Sequence, residues 1–221
     1  TGVPQLNLLL PVPYACPYFQ YDIPMGTIKR EPHHFDVPAG SYALAANSSG
    51  RSLMLVSDSK YGFRGSEEGL SVTLIRSSFD PDPWPEVGAH QIRLAIALTD
   101  GGRDAEQIAR SFCHPFSTVA MRRPQTGSLP LRRSLCRLID GETCLSAVKL
   151  AEDGKALTVR LYSLSEKTAR TALRFWQKPQ HAVLTDLMEQ PAEGADPVLI
   201  QDNDVIFPVK PYSLQTVKIT F

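Results

Sequence analysis

Short runs in which apolar and polar residues alternate recur along the 221-residue chain, separated by turns rich in Gly, Pro, Asn and Asp. This period of two predicts β-strands, because successive side chains of a strand point to opposite faces. In residues 70–76, Leu70, Val72 and Leu74 are predicted to face the core, and in residues 92–98 every second side chain from Ile92 onward is predicted to do so. The pattern predicts an all-β fold with further strands at residues 53–56, 157–162, 171–176, 182–187, 205–209 and 213–221.

One segment follows the period of a helix instead. Its apolar stripe at i, i+3, i+4 and i+7 consists of Ala105, Ile108, Ala109 and Phe112. Asp104 is predicted to cap the first turn, with Gln107 in a position similar to that of a capping box. Pro115 is expected to end the helix, which would dock on a sheet edge.

A change of composition between residues 120 and 133 predicts a domain boundary, with one domain at residues 1–125 and a second at residues 126–221. Arginines, a proline and glycine replace the alternating pattern there. A solvated linker is the favoured interpretation; a nucleic-acid patch is the alternative, but no aromatic residues interleave with the arginines. The formal net charge of zero provides no general attraction to nucleic acid or to an anionic membrane. No apolar run reaches the roughly 20 residues of a membrane-spanning helix.

The cysteines show no C-x-x-C spacing; they are Cys16, Cys113, Cys136 and Cys144. Two disulfides are compatible with the even count, but a chain of this length buries a core without them. Free thiols in a reducing cytoplasm are the preferred interpretation.

The sequence predicts no self-contained active site. None of the histidines lies in an H-E-x-x-H or H-x-H pattern, and the adjacent His33 and His34 would point to opposite faces of a strand. The G-x-S-x-G turn of serine hydrolases and the glycine motifs that bind phosphate are missing from the sequence. The acidic segments at residues 152–154 and 202–204 lack the spacing of a calcium loop and are interpreted as turns. Neither a catalytic residue nor a metal site is therefore predicted within this chain.

Residues 20–115 resemble the α-mannosidases of glycoside hydrolase family 38, in the bacterial and cytosolic-type branch. The segment Asp58-Ser59-Lys60-Tyr61-Gly62 matches the D-S-K-Y-G of that family, and residues 70–83 are similar to its L-x-x-x-L-L-R-S-P-x-x-P-D-P. Residues 23–30 read IPMGTIKR, which is similar to its I-P-x-G-x-I-x-R. Two departures are Ser57 and Ser78, where the family pattern has Asn and Pro.

The resemblance implies a fold and an activity. Residues 1–125 would be the later part of a large β supersandwich of the galactose-mutarotase-like type, and residues 126–221 a small terminal β sandwich. The family hydrolyses α-mannosides with retention, using an aspartate nucleophile and zinc that lie in an N-terminal catalytic domain. Nothing in this chain matches those segments, so the fragment alone is predicted to be inactive, with zinc expected in the missing domain.

The resemblance also implies partners and a location. The partners are the N-terminal catalytic domain of the same polypeptide and a mannoside substrate, without nucleic acid or membrane; the formation of homo-oligomers is left open. A cytoplasmic location is expected, with a secreted or lysosomal one as the alternative.

The candidate residues of the substrate pocket are Arg76, Tyr61, Lys60, Trp84 and His90. Arg76 ends a strand where the resemblance places an arginine that can reach the substrate cavity. A guanidinium presents fixed donors suited to sugar hydroxyls or to a carboxylate. The alternative for Arg76 is an ion pair with Asp80 or Asp82 in the adjoining turn.

The other candidates also have structural alternatives. Tyr61 offers a face for stacking on a sugar, but the favoured interpretation is a hairpin in which Tyr61 packs, Lys60 is solvated and Gly62 adopts a positive φ. Trp84 either stacks on a sugar or on the missing domain, or anchors its proline-rich loop. For His90 a structural role is favoured.

Three hypotheses for the whole chain remain: the C-terminal β region of an α-mannosidase, a standalone carbohydrate-binding β-sandwich module, and an all-β interaction domain without enzymatic activity. A binding module would need an exposed line of aromatic side chains. An exposed apolar face near residues 6–12 would favour the first hypothesis, because a severed domain interface leaves such a face.

Overall fold

The computed structural model describes residues 4–77, 86–120, 127, 130–140 and 142–221, without the side chain of Asp140. The chain divides into two compact units, Thr1–Phe116 and Ser117–Phe221. The boundary predicted between residues 125 and 126 lies outside the described residues and stays a prediction.

The first unit is built from antiparallel strands and one helix, α1 (Gly102–Cys113). Its strands are β1 (Gln5–Leu10), β2 (Phe19–Ile23), β3 (Gly26–Arg30), β4 (Val37–Pro38), β5 (Tyr42–Ala45), β6 (Ser52–Ser57), β7 (Gly62–Ser66), β8 (Gly69–Arg76) and β9 (Leu94–Thr99). They form one sheet of order β3-β2-β5-β6-β9, here called the β2 sheet, and one of order β1-β8-β7-β4, the β8 sheet.

The two sheets of the first unit enclose an apolar core. Its buried side chains are Phe19, Tyr21, Val37, Ala39, Ala43, Ala45, Leu55, Phe63, Leu70 and Val72. The predicted inward face of β8 is confirmed, since Leu70 and Val72 are buried and Leu74 packs against the same core. Each large apolar side chain buried in this way contributes about 1.5–3 kcal/mol to folding.

The helix α1 covers the opposite face of the β2 sheet. Ala105 and Ala109 are buried against that sheet, and Ile108 and Phe112 pack beside them, which confirms the predicted stripe. The prediction that Asp104 caps the helix is wrong. The N-cap is Gly101, because the helix begins earlier than the stripe indicates.

Asp104 instead ties the first turn of α1 to the strand before it. Its Oδ2 accepts hydrogen bonds from the Thr99 hydroxyl at 2.8 Å and from the Asp100 N–H at 3.0 Å. These bonds hold the pKa of the Asp104 carboxyl below its ordinary value.

The predicted inward face of β9 is wrong in part. Leu94 packs against the core, but Ile96 and Leu98 are exposed, while Ala95 and Ala97 pack against α1. β9 is an edge strand of the β2 sheet, so the helix contacts one of its faces and no described residue buries Ile96 or Leu98 on the other.

The strand at the N-terminal end also carries exposed apolar residues. Leu8 and Leu10 of β1 pack against the core, whereas Leu6 and Leu9 are exposed. The register of β1 against β8 shifts between Leu6 and Asn7, and this irregularity interrupts the alternation. Within residues 6–12, where an apolar face was expected, Leu6 and Leu9 are thus exposed, but Asn7 lies between them and is hydrogen-bonded to Gln5 and Thr73.

The second unit is a β sandwich. Its strands are β10 (Cys136–Asp140), β11 (Thr143–Leu150), β12 (Leu157–Ser163), β13 (Ala169–Phe175), β14 (His181–Thr185), β15 (Leu199–Gln201), β16 (Asp204–Val209) and β17 (Leu214–Thr220). They form a sheet of order β10-β13-β16-β15 and a second of order β11-β12-β17-β14, here called the β17 sheet. The all-β fold with one short helix is thus confirmed for the described residues.

The core of the second unit lies between its sheets. The fully or nearly fully buried side chains are Val159, Leu161, Leu173, Phe175, Leu184, Val205, Phe207, Val209, Val217 and Ile219. The predicted inward face of the last strand is confirmed, because Phe221 packs beside Val217 and Ile219, with its ring centroid 4.2 Å from that of Trp176.

The acidic segments of the second unit form turns, as expected. Gly154 has a φ of 68° and Asp202 one of 52°, which are left-handed conformations typical of turns. All four cysteines are free thiols. Among the described residues, no helix has the length and apolar character needed to cross a membrane.

Candidate functional site

The D-S-K-Y-G segment begins where β6 ends, and a buried hydroxyl shapes it. The Ser57 Oγ accepts hydrogen bonds from the backbone N–H groups of Ser59 at 3.3 Å and Lys60 at 2.8 Å. Gly62 already belongs to β7 and pairs with Pro38, and it is not among the glycines with positive φ. The prediction of a positive φ at Gly62 is therefore wrong, because Ser57 and the residues it binds make the turn before the chain reaches Gly62.

Asp58 anchors the same segment to the end of α1. Its carboxylate lies 3.1 Å from the Arg93 guanidinium. Arg93 in turn lies over the Phe112 ring, 4.8 Å from the centroid, and donates to the Phe112 carbonyl at 3.3 Å. Asp58 thus forms an ion pair that ties this segment to Arg93 beside the end of α1.

Glu86 connects two of the predicted site residues. Its Oε2 accepts the backbone N–H of Arg76 at 3.1 Å, and its Oε1 lies 3.9 Å from Lys60 Nζ. We refer to Lys60, Arg76 and Glu86, together with Tyr61, which follows Lys60 in the sequence, as the Glu86 cluster. No motif of the sequence singles out Glu86 as a site residue.

The exposures of Lys60 and Tyr61 are opposite to those of the favoured hairpin interpretation, in which Tyr61 packs and Lys60 is solvated. The Lys60 side chain is only 20% exposed, whereas Tyr61 is 61% exposed. The Tyr61 backbone carbonyl accepts the N–H of Ala39 at 3.0 Å. The main chain is therefore fixed while the phenol ring remains available for contact.

Arg76 ends β8 and is exposed. Among the described residues, no side chain pairs with its guanidinium. Asp80 and Asp82, its predicted alternative partners, lie outside the described residues, as does the candidate Trp84. His90 is exposed, and no contact joins it to the Glu86 cluster within the described residues.

A second carboxylate is held by the backbone at some distance from these candidates in sequence. Asp22 accepts hydrogen bonds from the Ser41 N–H and hydroxyl and from the Tyr42 N–H, at 2.8–2.9 Å. Burial raises the pKa of the Asp22 carboxyl above its ordinary value, although these hydrogen bonds oppose the shift. No pattern of the sequence indicated these hydrogen bonds between Asp22 of β2 and the start of β5.

The described residues do not fit the zinc that the family resemblance implies. No group of three or more His, Cys, Asp or Glu side chains in the described ranges is arranged to hold a metal ion. No step through zinc is therefore assigned to this chain. The Glu86 cluster supplies hydrogen-bond donors and an aromatic face, which suit the binding of a polar ligand.

Residues 143–217 match the model of the glycosyl hydrolases family 38 C-terminal beta sandwich domain. In contrast, no curated protein matches the sequence. The match covers most of the second unit, from β11 into β17.

Two solved structures are similar over nearly the whole chain. One is an alpha-mannosidase from Enterococcus faecalis V583, with 18% identity, a TM-score of 0.75, and coverage of 97% of this chain and 25% of that one. The other is a protein in the glycosyl hydrolase family 38 from Enterococcus faecalis, with 18% identity, a TM-score of 0.74, and coverage of 97% and 26%. The chain thus spans about a quarter of each structure, and at this identity the similarity shows the fold alone.

Proposed function

We propose that this chain is the C-terminal β region of an α-mannosidase and acts as one part of a longer polypeptide, because residues 143–217 match the model of the family 38 C-terminal beta sandwich domain. The observation that carries the proposal is the combination of this match with a fold that aligns over 97% of the chain to a quarter of an α-mannosidase.

In this proposal the longer enzyme is a retaining, zinc-dependent glycosidase that removes terminal α-mannosides. Its nucleophile and zinc belong to a catalytic domain outside this chain. The enzyme as a whole is located in the cytoplasm. When bound there, zinc would polarise the substrate and stabilise developing charge. This chain packs against that domain and closes the substrate pocket. Support comes from the D-S-K-Y-G and R-S motifs of this chain.

The Glu86 cluster is the part of this chain that we propose to contact substrate. Glu86 fixes the main chain of Arg76, so the guanidinium extends from a defined strand end. A guanidinium presents several donors in one plane and matches neighbouring sugar hydroxyls. Tyr61 presents its ring beside the ion-paired Lys60 and offers a stacking surface.

The test is to replace Arg76 by Ala in the longer enzyme and to measure kcat/KM on a chromogenic α-mannoside. We expect a loss of about tenfold or more, equal to roughly 1.4 kcal/mol of transition-state stabilisation. Arg133→Ala serves as the matched control, because Arg133 is an exposed arginine of the other unit. Equal activity of both variants would contradict a substrate contact by Arg76.

A further inference from the structure

Two arginines lie directly opposite each other on the outer face of the second unit. Arg137 of β10 and Arg174 of β13 are partners in the antiparallel register, and both are exposed. Their neighbours Leu138 and Leu173 point the other way, into the core. Like charges at directly opposite positions destabilise a sheet, so this pair calls for negative charge close by.

Asp204 of β16 neutralises one of these arginines. It lies opposite Arg174 in the register, and its Oδ1 and Oδ2 accept hydrogen bonds from Arg174 Nε and Nη2 at 2.8 and 2.9 Å. A guanidinium held by two parallel bonds has a defined orientation. Because both oxygens of Asp204 are engaged by Arg174, the charge of Arg137 is left for another partner.

The segment that leads into β10 brings a further arginine to the same place. The Leu135 carbonyl accepts the Trp176 N–H at 3.3 Å, which extends the pairing of β10 with β13 by one residue. A groove of about 370 Å³, here called the β10 groove, lies beside this pairing, and its lining includes Arg132, Ser134, Arg137 and Arg174. The volume is within the range of small-molecule sites, about 300–1,000 Å³.

The β10 groove carries an excess of positive charge. Within the part of the chain that the structure describes, no carboxylate pairs with Arg132 or Arg137, and the carboxylate bound to Arg174 is fully used. The formal net charge of the whole chain is zero, so the excess is local to this groove. An anion placed among these guanidinium groups would relieve their mutual repulsion.

The donors of the groove suit a phosphate group better than a carboxylate. A carboxylate brings one charge and two oxygens, whereas a phosphate monoester carries a charge of about −1.5 to −2 at pH 7 and three strong acceptor oxygens. Arg132 and Arg137 match that charge, and a guanidinium can bond two phosphate oxygens at once. The Ser134 hydroxyl adds a donor of a different geometry.

A nucleic acid fits the same groove poorly. Proteins that bind single strands stack the bases on aromatic side chains. The aromatic residue that borders the groove, Phe175, is only 3% exposed, and its ring belongs to the core between the sheets. The groove therefore offers contacts to a phosphate group and no platform for a base.

We propose that the β10 groove binds the phosphate group of a small molecule, either a phosphate monoester or inorganic phosphate. Arg132 and Arg137 bind its oxygens, and Arg174, held in place by Asp204, contributes a fixed positive charge. The inference concerns binding in the second unit only and does not depend on the proposed mannosidase activity.

The experiment is an NMR titration of the backbone amides of the 221-residue chain with methyl phosphate and, separately, with inorganic phosphate, at constant ionic strength. We expect saturable shifts confined to residues 132–137 and 174–175, with a Kd of about 0.1–1 mM. Methyl phosphate that binds as tightly as inorganic phosphate would identify an esterified ligand, and binding of inorganic phosphate alone would identify the free ion. Acetate should bind about tenfold more weakly than either, because it carries a single charge.

Arg137→Gln should weaken phosphate binding about five- to tenfold, because it removes charge-assisted hydrogen bonds. The variant should fold, since it also removes a like charge opposite Arg174. Lys167→Gln is the matched control: it removes the same single charge from an exposed side chain before β13, outside the groove, and its affinity should be unchanged. If Arg137→Gln fails to give a folded spectrum, Arg132→Gln replaces it.

Three results would overturn the proposal. The first is the lack of any saturable shift up to about 20 mM of either phosphate. The second is equal affinity for acetate, or undiminished affinity in a folded variant of Arg132 or Arg137. The third is tighter binding of a single-stranded oligonucleotide with shifts that spread beyond the groove, which would indicate a nucleic-acid surface instead.

Discussion

The ring of Phe19 lies directly against Gly65: a Cβ added to Gly65 would fall 2.1 Å from Phe19 Cγ. Phe19 belongs to the β2 sheet and Gly65 to the β8 sheet, so the glycine sets how closely the two sheets approach. The Gly65 N–H also donates to the Tyr21 hydroxyl at 2.8 Å, inside the same core. The contact between Phe19 and Gly65 therefore leaves no room for a side chain at position 65 between the two sheets.

Replacing Gly65 by Ala should destabilise the first unit strongly. The methyl group would overlap an aromatic ring that has no room to move, so we expect a loss of about 3 kcal/mol or more in the free energy of unfolding. Gly62→Ala is the matched control in the same strand, because its Cβ would meet Thr73 at an ordinary 3.6 Å. Urea unfolding measures both variants, and similar stabilities would contradict the predicted overlap.

Asp22 should tolerate Asn better than Leu. In Asn, Oδ1 still accepts the N–H groups of Ser41 and Tyr42, and the amide can donate to the Ser41 hydroxyl, although it loses the second bond that Oδ2 accepts from the Ser41 N–H. Leu leaves these buried donors unpaired, which costs about 1–3 kcal/mol. Unfolding free energies at pH 7 compare the two variants. A Leu variant as stable as the Asn variant would show that the hydrogen bonds to Ser41 and Tyr42 do not stabilise the fold.

The pKa of Asp22 also predicts how acid affects the first unit. Burial raises the folded pKa above the ordinary 3.8, so the folded protein binds this proton more tightly than the unfolded chain. The contribution of the neutral carboxyl is complete below 3.8 and is lost as the pH rises through the folded pKa. Asp22→Asn should remove this component from the dependence of stability on pH, whereas an unchanged profile would exclude it.

The sequence predicted those strands that have one buried and one exposed face. The strand at residues 70–76 and the last strand, with Val217 and Ile219 buried, show that alternation clearly. β5 was not predicted, because all its residues are buried between the β8 sheet and α1 and the alternation disappears. In β9 the larger Ile96 and Leu98 were assigned to the core, yet the helix packs against small alanines.

The candidate site was predictable only as far as the motif extends along the chain. The resemblance located Lys60, Tyr61 and Arg76, but their connection depends on Glu86, which a separate loop brings to them. The turn of Ser57 was likewise hidden, since a serine hydroxyl that accepts two backbone bonds leaves no periodic signal. The ion pair between Lys149 and Glu189 in the second unit is likewise invisible in the sequence, because the two residues lie far apart along the chain.

Glu189→Gln should destabilise the second unit more than Glu152→Gln. Both carboxylates contact Lys149, but the Glu189 side chain is 4% exposed and that of Glu152 is 84% exposed. Exposed ion pairs contribute little because water and salt screen them. Thermal unfolding at pH 7 compares the two variants. Equal midpoints would show that the contacts of Glu189 with Lys149 and Glu152 do not stabilise the second unit.

The same pair predicts an acid-sensitive component of stability. The hydrogen bond from Lys149 holds the pKa of the Glu189 carboxyl below its ordinary 4.5. Its contribution is therefore complete above 4.5 and is lost as the pH falls through the folded value. The difference in melting midpoint between the unaltered chain and Glu189→Gln should shrink on acidification; a constant difference would contradict the ion pair.

The most direct test of the proposed role is an assay of this 221-residue chain alone, supplied with zinc, beside the longer enzyme on a chromogenic α-mannoside. We expect no turnover by the folded chain and robust turnover by the longer enzyme, because we assign the nucleophile and the metal ligands to a different domain. Turnover of the mannoside by the isolated chain would contradict the account, since it would require catalytic residues within these two β units.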